Sequence, residues 1–253
     1  MDDANPPSLP MSLGGRMVNI LAVPSEVLGE VKRSGPCAAN WLVPGALISL
    51  VGILASLLVF AQPAVQQQMR EMTLQSIERQ IQLGKVPPAQ AEKMREMAES
   101  YGSIGFKISA FGAPLFTGFA VPVIWGLMLW LVARLVYKAE FDLMKVVEMT
   151  GLAGMVSLLD TVVRSLLILT TGNLFASAGP VLLIKNFDAQ NPTHTLVAVF
   201  NVLVFWVLGV RAVGLSHLAG ISFFKASVWV FGIWATYTGV MVGFGYAMKA
   251  VFN

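Results

Sequence analysis

The chain has 253 residues, 56% of them hydrophobic and only 12% charged, against roughly 25% charged in a soluble domain, so it cannot cover its surface with polar groups in water. A net charge of +3 without a long basic run gives no footprint for nucleic acid or for a polybasic lipid patch. A single cysteine, Cys37, excludes an intramolecular disulfide and a Cys-based metal site.

Long uncharged apolar runs without period-two alternation predict an all-α, polytopic membrane protein, because lipid leaves backbone amides unsatisfied and only helices or closed barrels cross it. The first forty residues begin with acidic Asp2 and Asp3, and their longest apolar run, Met17 to Val23, is only seven residues, which predicts no cleavable signal peptide. Pro24 stands where a helix can start, and Val27, Leu28 and Val31 follow at helical spacing, predicting a short amphipathic helix on the membrane surface. Residues 1–40 thus form an N-terminal segment ahead of a membrane domain over 41–253.

Span one is expected over 41–61, with Trp41 at the interface and Pro44 in the first turn, where its missing amide proton does little harm. The polar stretch 62–107 reads as an extramembrane helical hairpin between spans one and two. Val65, Met69, Met72, Ile77 and Ile81 make one apolar stripe, and Gly84 sits where a left-handed cap is expected. Lys85-Val-Pro-Pro88 breaks the helix, and Met94, Met97, Ala98 and Tyr101 resume the stripe.

Span two is expected over 109–135, an interfacial connector over 137–147, and span three over 149–171. Spans four and five follow over 194–215 and 225–248, after an irregular segment with Asn173, Gly179, Pro180 and Pro192. Five spans put the termini on opposite sides. Arg16, Lys32, Arg33, Arg134, Lys138, Lys145, Arg211 and Lys225 fall on the N-terminal side, against Lys185 and Lys249 opposite once the charge-balanced hairpin is set aside. The expected orientation is N-terminus cytoplasmic, hairpin and C-terminus outside.

Asp160 and Arg164 are the sharpest polar feature, since each costs roughly 2.5–3.5 kcal/mol at the centre of a spanning helix. Their i, i+4 spacing allows a self-neutralising pair that fixes helix rotation, or alternatively a proton or ion relay. Met69, Met72, Ile77, Met94, Met97 and Tyr101 form a candidate partner surface on the hairpin. The two Met-x-x-Met pairs could also hold Cu(I), but no Cys or His lies nearby, so no metal or other cofactor is expected. His194 and His217 mark opposite ends of span four and cannot share a metal. Asn201, Trp206 and Arg211 spiral around the same span and read as packing or anchoring residues. Gly151/Gly154, Gly209/Gly214 and Gly239/Gly243/Gly245 allow close helix approach, with G-x-x-x-G spacing only at Gly239 and Gly243. No G-x-x-x-x-G-K-[ST], H-E-x-x-H or G-x-S-x-G occurs, and nothing in the sequence supports an enzyme.

The order of parts resembles a known family. The amphipathic start with Pro24-Ser-Glu-Val27, the Trp41-Leu-Val-Pro44 opening of span one, the hairpin with Gly84-Lys-Val-Pro-Pro-Ala-Gln-Ala-Glu92, and Phe200-Asn-Val-Leu-Val-Phe-Trp206 continuing to Gly214-Leu215 and Lys225-Ala226 are similar to prokaryotic members of the Yip family of multispanning membrane proteins. The resemblance implies five spans, a cytoplasmic N-terminus and a place in a prokaryotic cell membrane. Eukaryotic relatives are associated with Rab-type GTPases through a long cytoplasmic region that the resemblance does not place here. The family supplies no catalytic residues to map. The expectation is a non-enzymatic scaffold or accessory subunit that meets membrane lipids, other membrane proteins or copies of itself, and no nucleic acid. The alternative is a carrier built on Asp160 and Arg164.

Overall fold

The computed structural model describes residues 10–85, 87–184, 187–188 and 191–252. Among these there is no strand. Two short helices, α1 (Leu13–Asn19) and α2 (Pro24–Arg33), precede α3 (Ala39–Phe60), α4 (Pro63–Gln82), α5 (Pro88–Leu115), α6 (Val121–Val136) and α7 (Leu143–Thr171). The chain ends with α8 (Pro192–Val199), α9 (Val202–Ala219) and α10 (Phe223–Phe252). Five segments are long and apolar enough to cross a membrane: Ala39–Phe60, Ile108–Val136, Leu143–Thr171, Val202–Ala219 and Phe223–Phe244.

Local chemistry sets the boundaries. Asp142 caps α7 by accepting from the Met144 amide at 3.1 Å, and Gly172 ends the helix with φ 67°. Gly84, the expected left-handed cap, has φ 68° after α4. At the other end of the chain, Gly220 closes α9 with φ 64°.

Helix α7 is the hub. It packs along α3, α6 and α9, and α9 carries α10 on its far side. Leu152, Ala153 and Val156 of α7, Leu129 and Ala133 of α6, and Leu208, Ala212 and Leu215 of α9 are buried in one core. The α3–α7 crossing is tight at Gly151, where an added Cβ would lie 2.6 Å from the Trp41 Cα.

Several sequence expectations need correction. The hairpin was expected to end at residue 107, but α5 runs unbroken from Pro88 to Leu115 and continues through a π-helical turn, Phe116–Ala120, into α6. Pro114 and Pro122 bracket that turn, and each withdraws one amide from the ladder. The connector expected over 137–147 ends at residue 142, and its Lys145 belongs to the first turn of α7, because Asp142 starts the helix there. Span four is not continuous, since Phe200 and Asn201 separate α8 from α9. Helix α2 does not present its apolar face to lipid: Val27, Leu28 and Val31 are fully buried, packed against α9 and α7.

Candidate functional site

Two polar clusters sit on α7, about 18 Å apart along its axis at ~1.5 Å per residue. At Asp160, the Oδ1 atom accepts a 2.8 Å hydrogen bond from Nδ2 of Asn201. Asn201 is almost fully buried, and its own Oδ1 accepts from the Leu203 amide at 2.8 Å. One side chain therefore caps α9 and holds the acid of the neighbouring helix. The irregular strap between α7 and α8 closes over this break, where the Val202 amide donates to the Ala178 carbonyl at 3.0 Å. Irregular backbone at membrane depth is tolerated where other protein satisfies it.

Arg164, expected to face Asp160, is exposed on α7, and the hydrogen-bond partner found for Asp160 is Asn201. The i, i+4 spacing allowed the pair, but a neutral amide from α9 reaches the carboxylate instead.

The second cluster was not foreseen as a unit. Glu148 is fully buried at the start of α7. Its Oε1 accepts from the Cys37 amide at 2.8 Å, and its Oε2 accepts from Asn40 Nδ2 at 2.8 Å and from Lys145 Nζ at 3.4 Å. Lys145 also donates to the Val31 and Gly35 carbonyls at 3.2 and 2.7 Å. Asn40 Oδ1 in turn accepts from Arg16 at 3.3 Å, and Arg16 pairs with Glu30 at 2.8 Å. Two cations and two anions thus form one chain that ties α1, α2 and the following loop to α3 and α7. A closed, neutral network is what makes burial of these charges tolerable. The i, i+3 spacing of Lys145 and Glu148 beside an apolar helix was the available signal.

Burial raises the Glu30 carboxyl, but its hydrogen bond from Arg16, the Met11 amide and the positive charges of Arg16 and Arg33 outweigh that and hold it below the ordinary glutamate value of 4.5.

The hairpin stripe is partly used by the chain itself. Val65 is fully buried with Val59, Ile168 and Ala176, and Met69 packs against that cluster. Met72 is half-buried and Ile77 is 5% exposed, while the side chains of Met94, Met97 and Tyr101 lie outside the described residues. No group of three or more His, Cys, Asp or Glu is placed to hold a metal among the described residues. His194 Nδ1, on α8, accepts from the Asp188 amide at 3.0 Å, whereas the His217 ring, in the last turn of α9, meets Ser25 Oγ at 2.9 Å. Trp206 is 38% exposed, but Arg211, read as packing or anchor, is buried under the Trp125 ring.

Fold and clusters together define the class: an all-helical protein with five helices able to cross a membrane, its charged groups at depth spent mainly on internal contacts. No family model, curated protein or solved structure matches the chain.

Proposed function

We propose that this is a non-enzymatic, multispanning membrane protein that acts through partners, as a scaffold or accessory subunit of a larger membrane complex. The observation that carries the reading is the fifth spanning helix. Only 6% of its most apolar window is buried by the rest of the chain, against 22–44% for the other four. It leaves Tyr237, Val240, Met241 and Phe244 exposed, and the space a Cβ would take at Gly239 and Gly243 is open. A helix with so little to hold it in its own bundle, and with small residues one turn apart, suits close contact with another membrane helix. The resemblance to the Yip family supports the same five-span plan in a prokaryotic cell membrane, with the N-terminus cytoplasmic. In that orientation α4 and the first half of α5 make a helical hairpin on the outer side. An impermeant thiol reagent should label Gln82→Cys in intact cells, and protection there would reverse the orientation.

The decisive experiment is a crosslinked pulldown from native membranes in mild detergent with mass spectrometry. A stoichiometric membrane protein partner is expected, and recovery of this chain alone would overturn the accessory reading.

A second reading, a carrier, has one specific observation in its favour: Asp160 meets Asn201 at the break between α8 and α9. Broken helices with a polar group at the break are a common way to build a binding site at membrane depth. A transport phenotype abolished by Asp160→Asn would favour it over the scaffold.

A further inference from the structure

The packing of α2 on α9 collects cations at one end of the bundle. Ser25 Oγ lies 2.9 Å from Nε2 of His217, and Lys32 Nζ donates to the His217 carbonyl. Gly29, one turn from each along α2, has no side chain to fill the gap between them. The point where its Cβ would stand is 3.7 Å from a terminal guanidinium nitrogen of Arg33 and 4.0 Å from Nδ1 of His217, so two nitrogens converge on an open space. Neither has a hydrogen-bond or ion-pair partner among the described residues. With Nε2 accepting from the Ser25 hydroxyl, Nδ1 carries the ring proton and can donate.

Among the described residues, no carboxylate answers this charge. Glu30 is engaged by Arg16 and the Met11 amide, and Glu26 stands seven residues, ~10 Å, before Arg33 along α2. Lys32 is answered by the end of α9, whose last carbonyls favour a cation. Arg33 is exposed, and no described residue pairs with it.

The ends of two long apolar helices fix the depth. Helix α9 ends at Ala219 and α10 begins at Phe223, so the turn between them leaves the hydrocarbon, and His217 stands two residues, ~3 Å, inside that end. The cluster therefore lies at the edge of the apolar core, in the layer that headgroups occupy. Phe223 and Phe224 are 53% and 76% exposed on the first turn of α10, so apolar surface for acyl chains starts where the charged surface stops. Water solvates these cations without neutralising them, and a free phosphate must be captured from solution, whereas a lipid phosphate is held in this layer by its own chains. Its oxygens can accept from both arms of the Arg33 guanidinium. A zwitterionic headgroup would add an ammonium beside Lys32 and Arg33, so the charge selects an anionic one.

We propose that Arg33, Lys32 and His217 hold the phosphate of an anionic phospholipid over Gly29, in the leaflet next to α2. This goes beyond the accessory-subunit reading and does not depend on it, since it needs only that α9 and α10 cross a membrane.

The test is thermal melting of the purified full chain in detergent, titrated with phosphatidylglycerol, phosphatidylcholine or inorganic phosphate. Phosphatidylglycerol should raise the melting temperature of the wild type above the effect of phosphatidylcholine at the same mole ratio. R33Q should need about fivefold more phosphatidylglycerol for its half-maximal shift, as for one cation lost at an anionic surface, and the double variant Lys32→Gln with Arg33→Gln should lose the preference between the two lipids. K138Q removes an exposed cation beyond the end of α6 and should titrate like the wild type. Because no described residue pairs with Arg33, R33Q should melt like the wild type without lipid, which separates lost binding from misfolding. Equal shifts with the two lipids, an R33Q titration that matches the wild type, or a K138Q loss equal to that of R33Q would overturn the inference. The same shift with inorganic phosphate would show a site for soluble phosphate and overturn the lipid.

Discussion

Asn40 Nδ2 donates to Glu148 Oε2 at 2.8 Å across the α3–α7 interface, and both side chains are fully out of solvent. Glu148 is also where the Cys37 amide and the Lys145 ammonium end. Truncating it strands the Cys37 amide and the Asn40 side-chain amide and leaves the buried Lys145 without its counter-charge. Glu148→Ala should therefore destabilise the purified protein by about 3–5 kcal/mol, and Asn40→Ala by about 1–3 kcal/mol. Thermal melts in detergent would show this, and a Glu148→Ala protein that melts like wild type would mean the network contributes no stability.

Asn201 serves two helices, so its loss should be felt at both. Asn201→Ala should cost about 1–2 kcal/mol for the cap alone, plus the loss of the Asp160 contact. Asp160→Asn keeps an oxygen at the same place and should cost less in stability than Asn201→Ala. The order of the two melting temperatures checks this, independently of any transport assay.

Glycines of the same sequence type should differ by place. Gly151→Ala puts a methyl group 2.6 Å from the Trp41 Cα, so α3 and α7 must separate, at about 1–3 kcal/mol. Gly239→Ala and Gly243→Ala meet nothing within 4 Å and should lie within about 0.5 kcal/mol of wild type. If α10 is the partner-facing helix, those two variants should weaken recovery of the partner while leaving the melt unchanged.

The Arg16–Glu30 pair makes docking of α1 on α2 sensitive to acid. Because the folded carboxyl titrates below 4.5, its contribution is fully present above that value and is lost as the pH falls through the folded one. Glu30→Gln should melt below wild type near neutral pH, and the gap should close in acid. A gap that stayed constant with pH would show that the carboxylate charge is not what holds α1.

Much of the helical plan is legible in the residues. Pro24, Pro63 and Pro88 each open a helix, and Gly84 caps one with positive φ. The long apolar runs give five helices able to span a membrane, although the fourth begins at Val202 and not at His194, where it was expected. The break at Phe200 and Asn201 was missed because α8 and α9 are apolar on both sides of it, and hydropathy does not register one capped residue. The connector at 137–147 was cut too long because Lys145 suits an interface when its buried partners are unseen.

By itself, the sequence determined the class of protein and the number of long apolar helices, since hydrocarbon leaves a backbone few alternatives and the necessary residues are contiguous. Which charges meet was decided only by the tertiary structure. Asp160 has Arg164 one turn away but bonds to Asn201, 41 residues distant. Glu148 gathers donors from more than 100 residues upstream, and Arg211 lies against the Trp125 ring of another helix. Helix periodicity fixes the direction of a side chain around its own axis, whereas its partner depends on which helix packs on that face and at what height.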